Sequence, residues 1–178
     1  MVVKKVGCVI AYHKGHTNYG TSLVGYALIK EIKNLGYDVE VINYVKQLPF
    51  WEKIAWAINA IRCDGFNFIS ERFIGAKNIK NNPTYAMNIK IRANAVEDYK
   101  EHKIIPFFKD YCGYKALHNG SKNYDVIVVG SDQVWTPWSL PTKFYNLLFV
   151  DDNVRKVAYA SSFGPKPLAS LSRIGPLM

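Results

Sequence analysis

Hydrophobic and polar positions along this chain follow one period, then another, then the first again within 44 residues. Lys5 to Tyr12 (KVGCVIAY) is a short run of β-type apolar residues, which predicts a buried strand. It ends in a polar loop, His13-Lys14-Gly15-His16-Thr17-Asn18-Tyr19-Gly20. From Thr21 to Leu35 the period lengthens. Leu23, Ala27, Leu28, Ile32 and Leu35 recur three and four apart while Lys30, Lys33 and Asn34 take the wet positions, which predicts a helix. Gly36 stands where a left-handed cap would end that helix. Tyr37 to Tyr44 then alternates as a second strand. Strand, loop, helix, glycine, strand is a βαβ unit, and its crossover implies parallel pairing.

The pattern is less regular from 45 to 122. Pro49 to Arg62 reads as an aromatic-rich helix, Asp64 to Asn82 has no clear period, and Asn94 to Tyr111 reads as a helix that Pro106 kinks or ends. Order returns at Tyr124 (YDVIVVGSD), where four consecutive β-branched residues mark a central parallel strand. A last strand is expected over Lys156 to Ala160, followed by Ser161-Ser162-Phe163-Gly164. From Pro165 to Met178 no period persists, and the stretch reads as a tail. The class is α/β, a parallel sheet flanked by helices, with one domain over 1–164 and an irregular tail over 165–178.

Composition narrows the classes. At 178 residues, 49% hydrophobic and 21% charged, the chain can bury enough surface to fold, which excludes a disordered or collagen-like protein. No stretch reaches the ~18 to 20 apolar residues of a membrane span, which leaves only peripheral association with a membrane. Cys8, Cys63 and Cys112 are far apart and form no CxxC pair, a usage that fits reduced thiols in a cytoplasmic protein, with Cys8 as a core filler. The net charge of +9 invites a nucleic-acid reading. Arg72, Lys77, Lys80, Lys90 and Arg92 do cluster between Gly65 and Ala95, but no basic run exceeds two residues. A solvated face, or a surface that meets an anionic substrate or membrane, fits better than nucleic acid.

Candidate chemistry falls in three loops, 13–20, 130–138 and 161–164, each after a strand of the parallel set. Ligands of open α/β sheets bind at that edge. The first loop also opens a helix, whose free N–H groups favour an anion or a sugar oxygen. It carries neither GxGxxG nor a phosphate-loop lysine motif, so dinucleotides and ATP are poorly supported. His13 and His16 lack a nearby third ligand, so no metal site is expected. Asp132 can act as a general base or hydroxyl acceptor, or close an Asx-turn. Ser131 lacks the nucleophile-elbow setting. Trp135 and Trp138 can stack on a sugar or plug the sheet edge.

Three blocks carry a more specific signal: Asn18-Tyr19-Gly20 leading into the first helix and second strand, Gly130-Ser131-Asp132-Gln133-Val134-Trp135, and Ala158 to Gly164 (AYASSFG). In this order and spacing, over residues 3 to 164, the chain resembles the polysaccharide pyruvyl transferase family. The resemblance implies the Rossmann-like N-terminal domain of a two-domain, glycosyltransferase-B-like enzyme. Such an enzyme transfers the enolpyruvyl group of phosphoenolpyruvate, its donor substrate, to a sugar of a capsule, exopolysaccharide or cell-wall glycan as a ketal, with no metal or further cofactor.

By the same resemblance Asn18, Tyr19 and Gly20, with Ser131, Asp132 and Gln133, line the substrate cleft, and Asp132 and Gln133 suit acceptor hydroxyls. The sequence departs from the family where Thr21 to Gly25 (TSLVG) replaces a small-aliphatic-Gln stretch. The family's second domain, which supplies basic donor-site residues, has no counterpart in the fourteen residues after Gly164. The expectation is therefore a truncated N-terminal half, inactive alone, with no catalytic residue identified: either a gene fragment, or one half of a split enzyme whose missing domain another chain supplies. The alternatives are a nucleotide-sugar-binding glycosyltransferase-like domain and a non-catalytic glycan-binding module.

Overall fold

The computed structural model describes residues 4–12, 15, 17–46, 82–135 and 142–163. Five strands, β1 (Lys5–Val9), β2 (Asp38–Val45), β3 (Phe108–Cys112), β4 (Val126–Gly130) and β5 (Arg155–Tyr159), form one sheet in the order β3-β2-β1-β4-β5. Every pairing is parallel, with Val6 opposite both Val39 and Val126 and Val128 opposite Val157. The chain builds outward from β1 to β3 on one side, then returns to add β4 and β5 on the other. The strand order therefore reverses between β1 and β4.

Alternation along β1 supplies a core on each face. Val6, Cys8 and Ile10 pack with Leu28, Ile29 and Ile32 of α1 (Tyr19–Asn34), and Ile104 joins them just after α2 (Pro83–Lys103). Val9 points the other way, into a cluster with Leu117 of α3 (Tyr114–Ser121), Ile127, Val129 and Phe149. Gly7 faces the same side and leaves room for the Tyr124 ring, which a Cβ would approach to 3.2 Å. Below it, Tyr124 donates to Glu40 at 2.8 Å, and Lys5 pairs with Glu40 at 2.8 Å. Burial works against ionisation of Glu40, but hydrogen bonds from Lys5 and Tyr124 outweigh it and hold this carboxyl below the ordinary range.

Helix α1 stops as expected. Gly36 has φ +86°, and the Tyr37 N–H donates to the Ile32 carbonyl at 3.3 Å. Its buried face differs from the expected stripe. Ser22, Gly25, Leu28, Ile29 and Ile32 face the sheet, while Leu23 and Leu35 are 49% and 72% exposed. Small residues decide this, because a Cβ on Gly25 would lie 3.0 Å from Ile10 Cδ1. The helix packs closely along Ser22 and Gly25, and a leucine there would hold it away.

The segment expected as a helix over Asn94 to Tyr111 divides. Helix α2 begins earlier, at Pro83, where the Asn82 side chain accepts the Tyr85 N–H at 3.0 Å. It gives way to a short 3₁₀ turn, Ile105–Phe107, that contains Pro106. Phe108–Cys112 is then strand β3, not helix. It is an edge strand with only Tyr111 buried, so neither a two-residue nor a helical period marks it. Helix α3 gave no sequence signal, and it packs on β3 because Gly120 leaves space for the Tyr111 ring. The helix expected over Pro49 to Arg62 lies outside the described residues.

Candidate functional site

The loops after β1 and β4 meet where the strand order reverses. Such a crevice is the usual ligand position in an open α/β sheet. Asn18 begins α1 as its N-cap, with its Oδ1 accepting the Gly20 N–H at 3.0 Å. The Asn18 carbonyl accepts the Ser22 hydroxyl at 3.4 Å, which holds the first turn from both ends of this residue. Across the crevice, Asp132 Oδ1 accepts the Gln133 N–H at 2.7 Å, and the Asp132 carbonyl accepts the Val134 N–H at 2.8 Å. Val134 is buried in the core and anchors this turn.

The loop after β5 buttresses it. Ser162 donates its N–H to the Asp132 carbonyl at 3.0 Å, and Trp135 donates its N–H to the Ser162 carbonyl at 3.1 Å. The Ser161 hydroxyl donates to the Val129 carbonyl at 3.2 Å. Trp135 is half-buried, its indole N–H donates to the Tyr145 carbonyl at 3.1 Å, and its ring lies 5.6 Å from that of Phe163. Trp135 thus packs at the sheet edge, and it also lines a separate cavity of about 330 Å³ with Phe163 and Tyr145. Trp138 lies outside the described residues. Tyr145 is buried behind the loop. Burial pushes its phenol up to about 12 with the Asp132 charge adding to the effect, against a hydrogen bond to the Tyr12 backbone.

A cavity of about 290 Å³ opens between these loops. Asn18, Asp132 and Gln133 line it, together with Tyr12, Thr21, Ser22 and Lys100. The structure thus brings together three of the six residues expected in the cleft. Tyr19 turns away, to a shallow pocket where its ring is 6.2 Å from Tyr99. Gly20 is exposed and serves the Asn18 cap, and Ser131 is half-buried beside the cavity without lining it. His13 and His16 lie outside the described residues. Of the basic residues between Gly65 and Ala95, Lys90 and Arg92 are described, and both are exposed on α2.

Lys100 is the lining residue that sequence reasoning missed. Val96, Lys100 and Ile104 stand four apart and are each no more than 2% exposed, so a lysine occupies the middle of a buried stripe. Its ammonium pairs with Glu97 at 2.8 Å and sits 5.5 Å from the centre of the Tyr12 ring. A larger cavity of about 830 Å³ lies on the other side of Tyr12, over the ends of β2 and β3. Glu97, Glu101 and Asp110 give it an acidic rim, and it includes no residue of the turn after β4. The smaller cavity is the one at the reversal, with polar groups from both loops.

A parallel sheet of this order with flanking helices, and with a crevice at its reversal, defines a Rossmann-like α/β domain. The family model for polysaccharide pyruvyl transferase matches residues 18–174, and the chain belongs to that family. The match begins at the N-cap of α1 and continues past Gly164 into the stretch read from the sequence as a tail. A search of curated proteins gave no match. None of the described helices is long and apolar enough to cross a membrane.

Proposed function

We propose that the crevice between β1 and β4 holds the acceptor sugar in transfer of pyruvate from phosphoenolpyruvate to a surface polysaccharide or its precursor, as a ketal. The observation that carries this reading is the convergence of Asn18, Asp132 and Gln133 on one cavity in a chain of this family. A cavity of about 290 Å³ is at the small end of ligand pockets, suited to one ring and not to an oligosaccharide.

The chemistry joins two hydroxyls of one sugar to a single carbon of the donor, C2 of phosphoenolpyruvate. The first adds to C2 of the enolpyruvyl group while C3 gains a proton and becomes a methyl group. The second displaces phosphate from C2, and its proton leaves with phosphate or a base. Carboxylate and amide side chains fix hydroxyls by accepting and donating hydrogen bonds. Asp132 would accept from one hydroxyl and serve as general base, with Gln133 and Asn18 orienting the ring. The three separate cysteines fit a reducing, cytoplasmic setting for this reaction.

Thermal-shift titration with phosphoenolpyruvate, free sugars and nucleotide sugars tests this reading. Stabilisation by sugars that Asp132→Asn abolishes would support it. Stabilisation by nucleotide sugars alone would overturn it in favour of a glycosyltransferase-like domain.

A further inference from the structure

Lys100 is the only charged side chain among the described residues that is buried, at 2% exposure. Removing an ammonium from water is costly unless a partner offsets it, and an apolar residue would pack as well in a helix stripe. One partner is Glu97, one turn earlier on α2, whose side chain keeps 32% of its surface in solvent. Glu97 Oε1 also accepts the Gly15 N–H at 3.1 Å, so one carboxylate oxygen serves both α2 and the loop after β1. Lys100 itself lines the cavity with Tyr12, Asn18, Ser22, Asp132 and Gln133.

We propose that Lys100 is the oxyanion-binding residue of this crevice, taking a carboxylate or phosphate group of the ligand in exchange for Glu97. The exchange leaves Lys100 ion-paired in both states, so no unpaired buried charge is created. Glu97 is open enough to be solvated when released, and it keeps the Gly15 N–H as a donor. The ligand class follows: a group with an oxyanion at one end, on Lys100, and hydroxyls or ether oxygens at the other, near Asp132 and Gln133. Phosphoenolpyruvate and an acidic sugar both present that oxyanion. The inference rests on the crevice being the ligand site, as in the reading above.

NMR titrations of the 178-residue chain with inorganic phosphate, phosphoenolpyruvate, glucuronate and methyl glucoside separate these sources. Glu97→Gln removes the competing charge and should tighten oxyanion binding several-fold, with the neutral glucoside unchanged. Lys100→Met should weaken oxyanion binding by about tenfold or more, a larger loss than any it causes for the glucoside. Lys100→Arg keeps the charge and should retain most of the binding, which carries the test if the methionine variant does not fold. Tightest binding of phosphoenolpyruvate would make the oxyanion the donor's, and tightest binding of glucuronate would make it the acceptor's. Weaker or unchanged oxyanion binding in Glu97→Gln would overturn the role of Lys100. Glucoside binding without any preference for oxyanions would also overturn it while leaving the acceptor reading intact. Absence of all binding would overturn both.

Discussion

Ser162 donates its backbone N–H to the Asp132 carbonyl at 3.0 Å, although the two residues follow different strands. Trp135 closes the exchange by donating to the Ser162 carbonyl at 3.1 Å. The Asp132 turn is thereby held through its backbone from the next strand over, and the carboxylate need not hold the turn in place by itself. Replacing Asp132 with Asn should preserve these backbone bonds. Urea unfolding of Asp132→Asn should match the parent within about 0.5 kcal/mol, while sugar binding falls.

Gly130 supports the same turn from below. Its φ is +141°, and a Cβ there would run into the Tyr159 carbonyl of the paired strand β5. Gly130→Ala should cost about 2 kcal/mol or more, from backbone strain together with displacement of β5. Equilibrium unfolding in urea reads that loss.

Asn18 has two separable roles. Its Oδ1 is engaged as the helix cap, so Nδ2 is the group it can offer to a ligand oxygen. Asn18→Ala should lower stability by about 1 kcal/mol through loss of the cap. Asn18→Asp keeps a capping oxygen and should retain that stability, while sugar binding weakens because the amide donor is gone. Thermal unfolding and ligand titration on both variants separate the cap from the contact.

Stability should depend on acid through Glu40 and Asp151. Glu40 is held low by Lys5 and Tyr124 against its burial, and Asp151 is held low first by the Asn153 backbone N–H and also by Lys122. Carboxyls lowered in the folded state contribute stability that is complete above their unfolded values, about 4.3 for Glu and 3.9 for Asp. That contribution is lost as pH falls through the lower folded values. Glu40→Gln should flatten the acid limb of a plot of urea midpoint against pH, and its midpoint near neutrality should fall.

The cysteines should differ in reactivity. Cys8 is fully buried, and burial pushes its thiol up to about 12, whereas Cys112 is exposed. Iodoacetamide on the native protein should alkylate Cys112 and spare Cys8, and both should react in denaturant. Peptide mass mapping checks this, and native labelling of Cys8 would contradict the core packing around it.

Much of the fold was legible because its central elements are strongly periodic. The βαβ unit from Lys5 to Tyr44 and the strand after Tyr124 carry unmixed patterns, since β1 and β4 are packed on both faces. Strand β3 was not legible, because an edge position leaves it only one buried residue. The face of α1 was misread because Ser22 and Gly25 pack by being small, and a search for large apolar residues passes over them. The loops that carry Asn18, Asp132 and Gln133 could be placed because they follow strands whose parallel order the sequence implied, whereas these residues themselves were named as cleft-lining from the family resemblance. Lys100 could not, since its helix reaches the crevice only through tertiary packing. Its one sequence signal is a lysine midway between Val96 and Ile104.

Amide chemical-shift mapping during titration with a neutral glycoside decides whether the crevice between β1 and β4 takes the acceptor sugar. Saturable shifts centred on Asn18, Ser22, Asp132 and Gln133, lost in Asp132→Asn, are the expected result. Shifts confined to the acidic cavity over β2 and β3, around Asn43 and Asp110, would contradict the account by placing the sugar on the wrong side of Tyr12.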